Sequence, residues 1–335
     1  MISNNDLLTD NTVVDYLAGR HLIDADTATV DTLGGGISNI VLSVRDSTRH
    51  VVVKQSLVRL RVAEEWLAPR ARIFTEADAL EVAAAIAPGS VPAVIDRDHD
   101  RHAIVIEHSP DEWTDWKQSL LSGRIDRHVA SRLGALLANW HVSTDGGSSL
   151  PASFDDTQAF ELLRIAPYYR TTAGRSGSLG PAILSLAGQM TEQRRCFVHG
   201  DFSPKNVLVD RSSGSCWVID FEVAHYGDPA FDLAFLLSHL IMKSLHMPSK
   251  RMAYDGCIDA FSAGYVRAAA ALAPDWPYVM RHVGCLLMAR VRGKSPAEYL
   301  SENQREATWL LGTLLLGGES QTLAELSELR DGVLA

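Results

Sequence analysis

Residues 198–222, VHGDFSPKNVLVDRSSGSCWVIDFE, constrain this chain more than any other stretch. The short apolar runs within and just before it, Cys196–Val198, Val207–Val209 and Trp217–Ile219, are rich in β-branched and aromatic residues and too short for helices, so they read as strands. They interrupt a second half whose other segments (126–142, 154–166, 181–193, 230–247, 252–273, 277–291 and 303–316) all carry helical periodicity. A strand-loop-strand unit inside a helical lobe is an α+β arrangement, and the polar residues fall on its loops. Asp201 and Asn206 share one short loop, and Asp220 ends the next apolar run fourteen residues beyond Asn206. Phosphoryl transfer asks for one carboxylate to take the attacking hydroxyl's proton, and for oxygen ligands that hold magnesium on the phosphates. Asp201 suits the first task, and Asn206 with Asp220 the second. A single Asp after a strand is ordinarily a turn residue or helix cap; the ordered set of three is harder to produce that way.

Composition narrows the function classes. With 335 residues, 46% hydrophobic and 21% charged, the chain can bury a large core in two domains or one bilobal unit. The net charge of -10, from 31 basic and 41 acidic residues, comes without a basic block and argues against nucleic-acid binding. Cys196, Cys216, Cys257 and Cys285 show no C-x-x-C spacing and read as buried free thiols of a reducing, cytoplasmic compartment. The opening MISNNDLLTDN lacks the basic and apolar regions of a signal peptide, and no apolar run is long enough to span a membrane. No feature specifies an oligomeric state.

The first half reads differently. Residues 11–19 predict a short helix capped by Asn11. TVDTLGGG, NIVLSVR and HVVVKQS then predict three strands, with Asp46-Ser47-Thr48 as a hairpin turn. Helical spacing over 70–87 ends at Pro88-Gly89, and two more strands lead to Glu107. Gly34-Gly35-Gly36 lies between strands, so it is neither a P-loop nor a dinucleotide fingerprint, although its amides suit phosphate, with Ser38 and Asn39 as side-chain donors. Gly174–Gly180 reads as a flexible surface loop.

The order D-x4-N followed by D-F-x is shared with protein kinases. Its variant here, HGDFSPKN with Glu222 in the third place of DFE, resembles the aminoglycoside phosphotransferase and choline kinase-like family, small-molecule kinases of protein-kinase-like fold. The match continues into GDPAFDLAFLLSHL, with Asp228 and Asp232 before an apolar helix. The resemblance implies a bilobal fold: a five-stranded lobe with one inserted helix over 1–106 that binds nucleotide, and a mainly helical catalytic and substrate-binding lobe over 107–335. It also implies ATP as phosphate donor, Mg2+ as cofactor, and a small hydroxyl compound as acceptor. Asp201 is then the catalytic carboxylate, with Asn206 and Asp220 as metal ligands. Lys54 faces the α- and β-phosphates, paired with Glu76 or, as the alternative, Asp78. Glu107 and His108 form the adenine hinge, and His199 and Asp232 support the loop structurally. No A-P-E follows, so nothing marks a peptide-docking segment. A non-catalytic nucleotide-binding regulator is the alternative of another class, and the intact set Lys54, Asp201, Asn206 and Asp220 argues against it.

Residues 30–80, with Trp66 in RVAEEWLAPRAR, are similar to the corresponding region of 5-methylthioribose kinases. The later motifs depart from those enzymes, which carry H-G-D-L-H-T-G-S, D-P-E-F and an adjacent arginine pair; here Arg290 and Arg292 lie near that place. Candidate substrate contacts are Trp66, Trp113, Trp116, Glu222, Arg290 and Arg292. The resemblance implies a sugar or methylthioribose-like metabolite as acceptor, with an aminoglycoside or amino alcohol as the alternative, for which Asp111, Glu112 and Asp115 offer carboxylates.

Overall fold

The computed structural model describes residues 7–34, 38–61, 66–269, 272–318 and 322–334. The chain divides into two compact units, Met1–Asp111 and Glu112–Ala335, a division just beyond Glu107. The first is built on an antiparallel sheet of five strands: β1 (Thr29–Thr32), β2 (Asn39–Arg45), β3 (His50–Ser56), β4 (Val94–Asp98) and β5 (Ala103–Glu107). Their spatial order is β1-β2-β3-β5-β4. Asp46 makes the β2–β3 turn as the sequence predicts, its Oδ1 accepting from the amides of Thr48 and Arg49, both at 2.6 Å.

Alternation along β3 decides what each face carries. Val51 and Val53 join Leu42, Val44 and Val105 in a core closed by Leu8 and by Val13 and Leu17 of helix α1 (Val13–Gly19). Thr12, not Asn11, occupies the α1 cap position. Lys54 belongs to the opposite alternation, and helix α2 (Arg72–Ile86) packs against β3, β4 and β5.

The second unit is mainly helical. Short β6 (Thr114–Asp115) leads into α3 (Trp116–Leu121), which Asp115 caps by accepting from the amides of Lys117 and Gln118. Then come α4 (Arg127–Ser143), the three-residue α5 (Gln158–Phe160), α6 (Thr171–Gly174) and α7 (Gly180–Glu192). Strands β7 (Cys196–Val198), β8 (Val207–Val209), β9 (Cys216–Val218) and β10 (His225–Gly227) follow. The chain then forms α8 (Ala230–His246), α9 (Arg251–Ala269), α10 (Trp276–Arg292), α11 (Glu302–Leu316) and α12 (Leu323–Leu334). β10 pairs with β7, and β8 lies between β6 and β9. No helix among the described residues is long and apolar enough to cross a membrane.

Three expectations change. The segment 154–166 is not one α-helix: Glu161–Arg170 runs as a π-helix with Pro167 inside it. An α-helical ladder has no use for a residue without an N–H, and a widened turn tolerates it. Gly174–Gly180 is a tight connection, with a 3-10 turn at Gly177–Leu179 and Gly180 buried at the start of α7. Cys216 is only half-buried, whereas Cys196, Cys257 and Cys285 are buried, and all four are free thiols.

α4 and α9 pack through glycines. A Cβ on Gly134 would lie 2.1 Å from the Phe261 carbonyl oxygen, and one on Gly264 2.4 Å from that of Ser131. Backbone contacts of this kind cannot be relieved by turning a side chain. Gly134→Ala is therefore expected to destabilise the protein by about 1–3 kcal/mol, read as a lower urea midpoint with an unchanged slope. A midpoint equal to that of the wild type would show that the helices separate freely.

Candidate active site

The loop after β7 is held from below. Asp232, in the first turn of α8 and 0% exposed, accepts from the His199 amide at 2.7 Å and from the Gly200 amide at 2.9 Å, one on each carboxylate oxygen. His141 Nε2 lies 3.5 Å from the same carboxylate. Gly200 has φ +76, and a Cβ there would meet the Val223 carbonyl oxygen at 2.8 Å, so the loop needs glycine at this place. The Asp201 amide donates to His199 Nδ1 at 3.0 Å, and His199 Nε2 donates to the Ile219 carbonyl at 3.2 Å. This pattern requires a neutral ring protonated at Nε2. Burial, which pushes the imidazole below its ordinary value, favours that state. The imidazole thus ties the loop to the segment just before Asp220.

Asp201 is 2% exposed, and its Oδ2 is crowded. Asn206 Nδ2, an Arg164 guanidinium nitrogen and Lys205 Nζ each lie 2.8 Å from it. Arg164 also donates to the Gly200 carbonyl at 2.9 Å, fixing its own position on the loop. Burial pushes the Asp201 carboxyl up, but Arg164 and Lys205 outweigh it, so the group stays ionised below the usual carboxylate range. With Oδ2 saturated, Oδ1 is the oxygen left to meet an incoming proton. Asn206 spends its amide nitrogen on Asp201, which leaves its Oδ1 as a hard oxygen donor. Asp220 lies close enough for its charge to bear on both Asp201 and Lys205. Its φ of +71 is the left-handed conformation that non-glycine residues rarely adopt, and strain of this kind concentrates at functional sites. Glu222 is buried beside this group, within the field of Arg164.

In the first unit, Lys54 Nζ meets Glu76 Oε1 at 2.5 Å, both residues being buried. Asp78 turns to Arg97 at 2.6 Å instead. Asn39 Oδ1 accepts from Ser56 Oγ at 3.3 Å, and Arg72 donates to the Ser38 carbonyl at 2.5 Å. Gly34 is exposed; Gly35 and Gly36 lie outside the described residues. Glu107 ends β5 with its Oε2 accepting from the Ala93 amide, and the His108 ring stacks on His50 at 3.4 Å. Trp66 is half-buried, and its carbonyl accepts from the Leu60 amide.

The remaining candidates separate. Trp113 packs edge-on against Trp217 at 5.4 Å, and Trp116 is buried at the start of α3. Arg290 donates to Ser295 Oγ at 2.8 Å, whereas Arg292 is exposed and lies 3.9 Å over the Trp309 ring. Asp111 is engaged by Arg45 at 2.5 Å. Sequence reasoning missed Arg164 and Lys205. Lys205 was legible four residues after Asp201; nothing in ELLRIAPYYR marks Arg164.

A family model described as "Phosphotransferase enzyme family" matches residues 29–280. The chain belongs to this family. Among curated relatives, methylthioribose kinase 2 of Oryza sativa subsp. japonica is 25% identical over 245 residues, 65% of this chain and 57% of that one. Methylthioribose kinase of Pectobacterium atrosepticum is 23% identical over 248 residues, 66% of this chain and 61% of that one. The chain thus spans less than two thirds of the length of these relatives. Likeness to methylthioribose kinases is not confined to residues 30–80, as the sequence motifs suggest, but extends over most of the chain. Among solved structures, a Plasmodium vivax ethanolamine kinase gives a TM-score of 0.51 at 11% identity, covering 100% of this chain and 92% of that one. An aminoglycoside phosphotransferase gives 0.50 at 14%, covering 97% and 98%. They share its α+β, kinase-like fold.

Asp232 is the generator of the loop geometry, so its loss is expected to show in stability. Asp232→Ala strands buried donors at about 1–3 kcal/mol each and should lower the thermal midpoint by several degrees. An Asp232→Ala protein that melts with the wild type would mean that the loop holds itself.

Proposed function

We propose that this protein is an ATP- and Mg2+-dependent phosphotransferase that acts on a hydroxyl of a small molecule. The observation that carries this reading is Asp201: a buried carboxylate kept ionised, with one oxygen locked by three donors and the other left for chemistry. The metal donor set fits magnesium, because the Asp220 carboxylate and the Asn206 amide oxygen are hard oxygen ligands of the kind that ion takes alongside water and phosphate. Magnesium bound there would neutralise charge on the phosphates. The buried Lys54 ammonium, steered by Glu76, suits the donor phosphates, with Gly34, Ser38 and the neighbouring backbone as further phosphate contacts and Glu107–His108 at the adenine.

Asp201 Oδ1 accepts a hydrogen bond from the acceptor hydroxyl and aims its oxygen at the phosphorus. As the new P–O bond forms, the hydroxyl proton passes to Oδ1 and the P–O bond to the nucleoside diphosphate breaks. A depressed carboxylate is a weak base, which suffices where the transition state is loose and the proton leaves late. Lys205 and Arg164 keep Asp201 charged and immobile while this happens. The methylthioribose kinase relatives favour a sugar-like acceptor over an aminoglycoside or amino alcohol. Trp66, Trp113, Trp116, Glu222 and Arg290 are the residues proposed to shape its site; Arg292, stacked on Trp309, is the weakest member. A cytoplasmic setting suits the four free thiols.

Asp201→Asn keeps the shape and removes the base. Turnover, measured as ADP release with the best acceptor of a metabolite panel, is expected to fall roughly 10²–10⁴-fold while ADP affinity persists. Turnover within a few-fold of wild type would remove Asp201 from the mechanism. Asp220→Ala is expected to abolish turnover and to weaken magnesium-dependent ATP binding more than Asn206→Ala does, because a charged ligand is lost in place of a neutral one. Equal effects in a calorimetric titration would contradict the assignment of Asp220 as the principal ligand.

A further inference from the structure

One end of the first unit's sheet gathers two imidazoles and a carboxylate outside the set assigned to magnesium. His50 opens β3. Across the ladder it faces Arg45 at the end of β2, and on its other side its carbonyl accepts from the His108 amide at 3.2 Å. Cross-strand neighbours share a face, and the two imidazoles stack there with centroids 3.4 Å apart and planes 13° from parallel. Asp111 joins them, its Oδ1 3.6 Å from His50 Nδ1. One ligand atom from each of His50, His108 and Asp111 lies within 4.8 Å of the other two. Solvent reaches all three: both histidines are half-buried, and the Asp111 side chain is 60% exposed.

The hydrogen bonds fix which ring nitrogens carry lone pairs. A guanidinium can only donate, and Arg45 donates to His50 Nδ1 from Nη2 at 2.8 Å and from Nε at 3.2 Å. The His50 proton therefore sits on Nε2, which donates to Ser43 Oγ at 2.7 Å. A carbonyl can only accept, so His108 Nδ1 donates to that of Ser109 at 2.5 Å and leaves Nε2 as the coordinating atom of the neutral ring. Each imidazole is thus oriented by an oxygen on its far nitrogen, as metal-bound histidines are by their outer hydrogen-bond partners. The Arg45 guanidinium also meets both Asp111 oxygens at 2.5 Å and so occupies the place of a cation among these groups. Its side chain is 48% exposed, and turning it into solvent opens no core.

We infer that this cluster is a binding site for a zinc-like divalent ion, with His50, His108 and Asp111 as ligands, water as the fourth, and Arg45 as the resident cation that the metal displaces. Imidazole and carboxylate both serve zinc, and three protein ligands with one open position make a tetrahedral site. With bonds of about 2.0–2.1 Å, the ligand atoms of such an ion stand roughly 3.4 Å apart. The 3.6 Å pair is already placed, and the remaining separations close by about 1.4 Å at most. Magnesium takes oxygen ligands, so two imidazoles separate this site from the one assigned to Asn206 and Asp220. The inference does not depend on the phosphotransferase reading.

The test is a calorimetric titration of zinc into the full chain, with magnesium in excess to cover the Asn206–Asp220 site. The wild type should bind one equivalent saturably. Asp111→Asn and His108→Gln should each weaken zinc roughly tenfold or more. Asp111 is exposed, so its substitution spares the fold, and the thermal midpoint of each variant checks this. Arg45→Ala should do the opposite and tighten zinc roughly threefold to fivefold, because it removes a competing surface ion pair; a damaged fold cannot mimic that gain. Cobalt(II) in place of zinc should give the visible absorption of a four-coordinate ion and lose it in His50→Gln. The inference is overturned by an absence of saturable binding, by binding only with zinc in large excess, by equal affinity in wild type and Asp111→Asn, or by zinc no tighter in Arg45→Ala. Each of these outcomes leaves the phosphotransferase assignment untouched.

Discussion

Two hydrogen bonds to one buried carboxylate set the geometry on which the candidate site depends. Asp232 presents an oxygen each to the amides of His199 and Gly200, and both bonds are sealed from solvent by the apolar face of α8. Neither amide has a strand partner to return to, because β7 ends at Val198. The loop is thus held by a side chain in place of a ladder. That substitution frees the backbone to take the left-handed turn at Gly200 and to hand its next residue, Asp201, to chemistry. The His199 ring extends the same logic, accepting from the Asp201 amide and donating to the Ile219 carbonyl, so that the two carboxylate-bearing loops are tied to each other.

Orientation of Asp201 comes from a different direction. Arg164 sits in the π-helical segment Glu161–Arg170 and spends its donors on Leu163, Gly200 and Asp201. π-Helical turns cost hydrogen-bond geometry and are kept mostly where they aim a side chain at a functional site. The wide turn and the arginine make sense together: the guanidinium fixes the loop backbone and the carboxylate in one gesture. Lys205, from the other side, supplies charge from a side chain that is 48% exposed. A buried cation and a half-exposed one on the same oxygen divide the work of positioning and of charge balance.

How much of this was legible in the sequence follows from which signals are local. The strand-loop-strand motif and the five strands with one inserted helix are encoded in runs of a few residues, where periodicity and turn chemistry speak clearly; the Lys54–Glu76 pair is what the resemblance to kinase-like folds implies. Asp232 was legible through the family resemblance, which implies an acid on the helix after the metal loop as a support for the catalytic loop. Arg164 was not, because it acts across 36 residues on Gly200 and its own segment reads as an ordinary amphipathic helix. Pro167 was the one hint that the turn there is irregular. Arg290 and Arg292 illustrate a different limit. The likeness to an arginine pair names them together, but residues two apart on a helix face different neighbours, and Arg292 lies on Trp309 while Arg290 turns to Ser295.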